Sequence, residues 1–365
     1  MTLSPKAQRS MRLYPSFVRR GCSAMRRFSV YHAQRSASEP LASGIAASFL
    51  SRFQSLGPQT RTQLLDANQL QLLSLTLNRP SLFSDSPSLS NTSGSVPDGT
   101  PLPPGYHLVY FTPAFLENEL GADGTDVSYN PETPFTRRMW AGGEVHWPRG
   151  VNGNPNPLRV GQKVQETTKV LSAQPKTVRK TGEEMIVVGV EKEFRNEHGV
   201  AVIDRRNWVF RKALSAPSTP HASNDAPVPS APAFSSTASV ARTYTRTLRQ
   251  TAVTLFRFSA LTFNPHKIHY STPWAQKIEG HKDIVVHGPL NLISILDLWR
   301  DTRSTQGSDP ALMLPENISY RATSPLFAED EYRVVLDEEG DGVGRVQIFD
   351  PKGTVAMKAE IKSAD

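Results

Sequence analysis

One pattern occurs twice along this chain of 365 residues, and it limits the fold more than any other feature of the sequence. An apolar run comes first, and a set of strand-like runs follows it. In the later copy the run is Pro289 to Trp299, where Leu290, Leu292, Ile293, Ile295, Leu296 and Leu298 leave almost no polar face. A helix of that kind belongs inside a core. After Pro325-Leu326 come Tyr332 to Leu336, Gly344 to Phe349 and Val355 to Ile361, the last alternating apolar and polar as a half-buried strand does. Asp350-Pro351-Lys352-Gly353 supplies the turn between the last two. The earlier copy has an apolar run at His107 to Phe115 and Pro157-Leu158, then Val164 to Leu171, Met185 to Phe194 and Val200 to Phe210. Asn196-Glu197-His198-Gly199 takes the place of its last turn.

A buried helix with a meander of curved antiparallel strands is a sheet wrapped around a helix. Twice over, it predicts an α+β fold of the double hot-dog kind. Two unrelated α+β domains would give the same order of elements. The length suits two domains, and residues 213–240, with five prolines among Ser and Ala, read as an extended linker. The expected organisation is a leader over residues 1–38, a first hot-dog domain over 39–212, the linker, and a second hot-dog domain over 241–365. The first domain carries a helical lead-in from Leu41 to Leu77, followed by a long Ser- and Pro-rich loop from Pro80 to Pro104.

The formal net charge of +7 raises the question of nucleic acid or anionic membranes, and its distribution answers it. Residues 1–38 hold eight basic side chains and no acid, which leaves 33 basic and 34 acidic residues beyond them. The body of the chain is near neutral, so no nucleic-acid partner is expected. An Arg-rich, Ser-containing, acid-free start has the composition of a mitochondrial transit peptide, and Arg27-Phe28-Ser29 resembles a processing site. The expected location is the mitochondrial matrix; a basic tail without order is the other reading of the same residues. The single cysteine, Cys22, falls in this leader. A processed chain would have no thiol, hence no disulfide, Cys-ligated zinc or Cys nucleophile. Nowhere do roughly 18 apolar residues follow one another, so no membrane span is expected.

Chemistry concentrates in one segment. Four of the nine histidines, His266, His269, His281 and His287, fall within 22 residues, together with Asn264-Pro265 and Gly288-Pro289. The spacing predicts a polar, imidazole-bearing turn that leads into the buried helix, with Gly288 at its N-cap and Pro289 at N1. The first turn of a helix offers unpaired N–H groups and a partial positive charge, and a glycine lets a ligand approach the backbone. Adding water to an enoyl thioester, or removing it, needs a base and donors for an enolate-like oxygen. A neutral histidine suits the first task and the Gly288 amide the second.

The segment resembles the hydratase motif of MaoC-like proteins, in which an Asn-Pro pair, a following His and an Ala six residues later precede an apolar-His-Gly helix start. Asn264-Pro265, His269, Ala275 and Val286-His287-Gly288 match it. Ser259 to Tyr270 is similar throughout to the fungal hydroxyacyl-thioester dehydratase type 2 and mesaconyl-CoA hydratase branch. So are Pro104 to His107 and Arg137 to Gly143, so that the resemblance spans most of residues 60–362 outside the linker. It implies a 3-hydroxyacyl-thioester dehydratase of matrix fatty acid synthesis, or a hydratase of a short dicarboxylic CoA ester, with His269 as base. Asn264, Thr262 and His266 would orient water; Gly288 and His287 would line the thioester site. Arg137 and Arg138 would meet the phosphates of coenzyme A or the rim of an acyl carrier protein. No cofactor is implied beyond the phosphopantetheine or coenzyme A that carries the substrate. Two hot dogs in one chain satisfy the pairing that single ones seek, which suits a monomer or a homodimer.

One departure matters. Many MaoC-like hydratases place an Asp shortly before the Asn-Pro, where this chain has Leu261-Thr262-Phe263, and two residues are inserted before His269. Asn264, Thr262 or His266 takes over, an acid arrives from elsewhere, or the fold is kept as a non-catalytic acyl-thioester binder. His266 and His269 at i, i+3, with Glu279 or Asp283, are the only metal-like set in the segment. No further ligand has a recognisable spacing, so no metal is expected. His281 is expected to be exposed.

Overall fold

The computed structural model describes residues 41–83, 86–90, 96–150, 153–179, 181–214, 242–303, 309, 312–338 and 342–363. The expected leader lies outside them, and so does the expected linker beyond Leu214. Among the described residues ten strands form one antiparallel sheet: β1 (Gln59–Leu64), β2 (Arg137–His146), β3 (Lys163–Thr177), β4 (Glu184–Asn196), β5 (Gly199–Arg211), β6 (Arg242–Arg249), β7 (Asn317–Ala322), β8 (Glu331–Glu338), β9 (Val343–Phe349) and β10 (Val355–Lys362). Their order across the sheet is β1-β3-β4-β5-β2-β7-β10-β9-β8-β6. Adding five to each strand of the first half gives the second half, read from its outer edge inward. The halves are therefore topological repeats, joined where Gly142 to His146 of β2 pair with Arg321 to Asn317 of β7. This is the double hot dog.

In the second half the wrapped helix is α5 (Gly288–Arg303), with Leu290, Leu292, Ile293, Ile295 and Leu296 fully buried. Tyr332, Val334 and Leu336 of β8, Val346 and Ile348 of β9, and Met357 and Ile361 of β10 belong to the same core. Their every-second-residue spacing is what one buried sheet face requires.

The first half departs from the expected repeat. The run His107 to Phe115 does not form a buried helix; only Tyr106–Val109 make a 3-10 turn. Pro104 precedes the run and Pro113 interrupts it, and its backbone is claimed from outside. Gln63 accepts from the Phe111 amide, and the Arg61 guanidinium donates to the carbonyls of Phe111 and Thr112. Gly105, at φ +87°, presses this turn against α5, where an added Cβ would stand 2.8 Å from Leu296. The first sheet is covered instead by α1 (Ala42–Leu56), whose Ala42, Ile45, Ala46 and Phe49 pack on Ile186, Val188, Val190, Trp208 and Phe210. The helical lead-in also breaks in two. Gly57 and Pro58 end α1, and the polar edge strand β1 intervenes before α2 (Ala67–Thr76). Leu70 and Leu73 of α2 then join the α5 core.

Candidate active site

The histidine segment is held by two helix ends. α3 (Ala252–Leu261) starts at Thr251, whose hydroxyl accepts from the Thr254 amide, and buries Leu255, Phe258 and Ser259. It stops in a Schellman turn: Phe263 adopts φ +47°, its amide donates to Ala260, and the Asn264 amide donates to Ser259. The Thr262 hydroxyl donates back to the Phe258 carbonyl at 2.7 Å. Thr262, expected to orient water, is thus occupied in closing the helix. Asn264 sits just after the turn, its side-chain oxygen 3.4 Å from the His266 amide. A 3-10 turn at Lys267–His269 and the short α4 (Thr272–Lys277), capped by Ser271, follow.

The chain then returns alongside itself. The Val285 amide donates to the Ile268 carbonyl, and the Val286 amide donates to Leu326. This clamp brings three imidazoles together. His269 donates through Nδ1 to the Val285 carbonyl at 2.8 Å, which fixes its tautomer and leaves Nε2 with a free lone pair. Its ring stacks on His287, centroids 3.6 Å apart, and His266 lies edge-on at 5.3 Å. The Nε2 of His287 hydrogen-bonds the Ser259 hydroxyl at 2.9 Å, while its buried Nδ1 has no partner among the described residues. Burial pushes all three rings toward the neutral form. His266 falls to about 3, helped by Arg138 and Arg137, and His269 to about 3, helped by His266; His287 lies well below its ordinary value.

Gly288 is the first residue of α5, not the residue before it; His287 occupies the cap position. The Gly288 amide makes no hydrogen bond among the described residues and stands at a helix start, where a developing negative charge is favoured. Space above its α-carbon belongs to Trp140, not to a ligand: an added Cβ would overlap the indole ring. Gly288 is therefore needed for the close seating of β2 on the helix start. The three histidines, Asn264 and Gly288 line one cavity of about 1640 Å³.

The family model for hydroxyacyl-thioester dehydratase type 2 matches residues 105–328. The chain belongs to that family. It is 30% identical over 277 residues to the mesaconyl-C(4)-CoA hydratase of Chloroflexus aurantiacus, covering 75% of this chain and 88% of that one. It is 25% identical over 260 residues to the mitochondrial hydroxyacyl-thioester dehydratase type 2 of Schizosaccharomyces pombe, covering 66% and 80%. Among solved structures it resembles the MaoC-like dehydratase of Phytophthora capsici, with a TM-score of 0.53 and 15% identity over 85% of this chain and 95% of that one. HtdX of Mycobacterium tuberculosis gives 0.51 and 14%, over 84% and 100%. At these identities the structural likeness speaks for the fold.

One wall of the cavity carries charged side chains. Glu166 of β3, Lys192 of β4 and Arg206 of β5 all line it. Glu166 pairs with Lys192 at 3.1 Å, and Arg206 with the buried Asp204 at 2.5 Å. His107 adds a 3.4 Å contact to Asp204. Burial lowers Lys192 to about 8 against the pull of Glu166. Arg138 lines the same cavity, its guanidinium over Trp208 at 5.0 Å and without an ion pair or hydrogen bond among the described residues. Its neighbour Arg137 is spent on Glu279 at 2.7 Å. These wall charges escaped the sequence reading. Their signal was charge at inward-facing, alternate positions of otherwise apolar strands. His281 is half-buried, its amide bound to the Ala275 carbonyl, where exposure was expected. Among the described residues no group of three His, Cys, Asp or Glu is placed to hold a metal ion, and no helix is long and apolar enough to cross a membrane.

Proposed function

We propose that the protein interconverts trans-2-enoyl and 3-hydroxyacyl thioesters by adding or removing water. The observation that carries this reading is the tautomer of His269: with Nδ1 held by Val285, its neutral Nε2 is free to take a proton. In hydration, Nε2 accepts a proton from water as the oxygen bonds to Cβ. The double-bond electrons move onto the thioester, and the oxygen that becomes enolate-like receives the Gly288 N–H. Transfer of that proton from His269 Nε2 to Cα completes the addition and returns the base to its neutral form, and dehydration retraces these steps. The substrate arrives on phosphopantetheine, as an acyl carrier protein or coenzyme A thioester, and no other cofactor enters the scheme.

The pathway setting we propose is fatty acid synthesis in the mitochondrial matrix. The basic leader composition and the mitochondrial fission-yeast relative support it. A second reading, a short dicarboxylic CoA ester as substrate, is favoured by the unpaired Arg138 beside the wall charges and by the Chloroflexus relative. The deciding assay follows loss of enoyl absorbance with crotonyl-, trans-2-decenoyl- and mesaconyl-CoA. Preference for the medium chain supports fatty acid synthesis; preference for mesaconyl-CoA supports the second reading. Binding of all three without turnover would replace both with a non-catalytic acyl-thioester binder.

A further inference from the structure

Many MaoC-like hydratases, whose motif this segment resembles, have an Asp shortly before the Asn-Pro pair; here no Asp or Glu occurs between Gln250 and Ile278. The first acid after the segment, Glu279, is bound to Arg137. A carboxylate reaches the imidazoles from the other half of the molecule instead. Asp123 lies in the loop Gly121–Asp126, and its Oδ2 stands 3.7 Å from Nε2 of His266, with the two side chains 13% and 11% exposed.

This approach is built. The Asp123 carbonyl accepts from the Lys267 amide at 2.8 Å, and the Lys267 ammonium donates to the Ala122 carbonyl at 2.6 Å. Gly124, at φ +85°, lies so close to Pro265 that an added Cβ would overlap its carbonyl. The amide and hydroxyl of Thr125 both donate to Oδ1 of Asp123, at 2.9 and 2.8 Å, which leaves Oδ2 turned to the imidazole. The other charged or titratable groups around His266 are Arg137 and Arg138 on β2, His281 before α5 and His269 beside it. Asp123 is the one carboxylate within 4.0 Å of the ring nitrogens among the described residues. His266 lines the cavity and Asp123 does not.

We infer that Asp123 is a positioning residue of the active centre: its carboxylate holds His266 with the proton on Nε2, so that Nδ1 faces the cavity as an acceptor for the reacting water. A separation of 3.7 Å exceeds a hydrogen bond. It is short enough for the negative charge to decide which ring nitrogen keeps the proton and to stabilise positive charge that gathers on the imidazoles during proton transfer. The inference rests on the hydration chemistry proposed above. It also makes the catalytic centre a joint product of both halves.

The test compares wild type with Asp123→Asn and Asp123→Glu. Asparagine keeps an acceptor for Thr125 and removes the charge. Two readouts are taken: steady-state kinetics on the best enoyl-CoA, and the His266 tautomer by long-range 15N–1H NMR of imidazole-labelled protein. The expected result is a kcat lower by about ten- to a hundredfold in the Asn variant, with KM little changed. Partial recovery in the Glu variant and loss of the Nε2–H tautomer in the Asn variant are expected alongside. Unchanged kcat in folded Asp123→Asn, or an unchanged tautomer, overturns the inference. So does a wild-type His266 that carries its proton on Nδ1, which settles the matter even if the variants do not fold. If wild type turns over no enoyl thioester, the proposed function falls, while the tautomer comparison still decides the role of Asp123.

Discussion

At the scale of single residues, hydrogen bonds sort the segment's polar side chains into those free to react and those already committed. His269 keeps a free Nε2, so His269→Ala is expected to lower kcat by about a hundredfold or more, read in the enoyl assay. The Thr262 hydroxyl is turned into the end of α3, so Thr262→Val is expected to retain activity within about threefold, since it removes no group aimed at the substrate. A loss as large as that of His269→Ala would place Thr262 in the water site after all. The lowered histidines also set two pH dependences. As the base must be neutral to act, kcat/KM is expected to hold down to about pH 4 and not to fall near 6.5. Stability behaves differently. A group whose folded pKa lies below its unfolded value contributes stability that is full above about 6.5 and is lost as pH falls toward the folded value. His266 and His269 should steepen the decline between about pH 6.5 and 3, with His287 acting in the same direction, which urea titrations at stepped pH would measure.

At the scale of elements, the second half was readable because its pattern and its structure agree. The apolar run at 289–299 is a buried helix, and the alternation in 355–361 is a strand. The first half was harder for a physical reason: its apolar run forms no buried helix but packs edge-on through His107 and Phe111 against Phe194 of β4, and its end at Ala114 and Phe115 is exposed. β1, β6 and much of β2 carry polar residues, as edge strands and cavity walls do, so they gave no apolar signal. The motif pointed to His269 and Gly288, which line one cavity, but local spacing could not reveal Asp123, more than 140 positions before His266. Gly288 tests the element scale directly. An added Cβ would meet Trp140, which is itself packed on Tyr320 with centroids 4.8 Å apart. Gly288→Ala is therefore expected to cost about 1–3 kcal/mol in urea unfolding, the usual penalty for overpacking. Pairing it with Trp140→Leu should cost less than the sum of the two single changes, because the second makes room for the first. Strict additivity would mean that the helix start and β2 do not compete for that space.

For the whole molecule, the repeat in topology conceals a shared core. Leu70, Leu73 and Tyr106 of the first half are buried in one cluster with Leu290, Ile293 and Leu296 of the second. Polar links cross the same boundary: Gln69 donates to the Leu261 carbonyl at 2.6 Å, Arg79 holds Asp301 at 2.7 Å, Tyr106 reaches Asp297, and Arg300 donates to the Leu82 carbonyl. A second half made alone would uncover the inner edge of β7, a row of unpaired strand amides and carbonyls open to other chains. It would also expose the face of α5 that the Tyr106 turn covers and the part of α3 that α2 packs on, and leave Asp297 and Arg300 with fewer partners. Residues 241–365 expressed alone are therefore expected to aggregate, and co-expression with residues 39–212 to restore a soluble complex through the β2–β7 ladder. The joined chain should unfold in a single calorimetric transition, since neither half keeps a complete core once the other has gone. Two well-separated transitions, or a soluble and folded second half, would show instead that each hot dog stands by itself and that the active centre alone, with Asp123 on one side and His266 on the other, binds them into one functional unit.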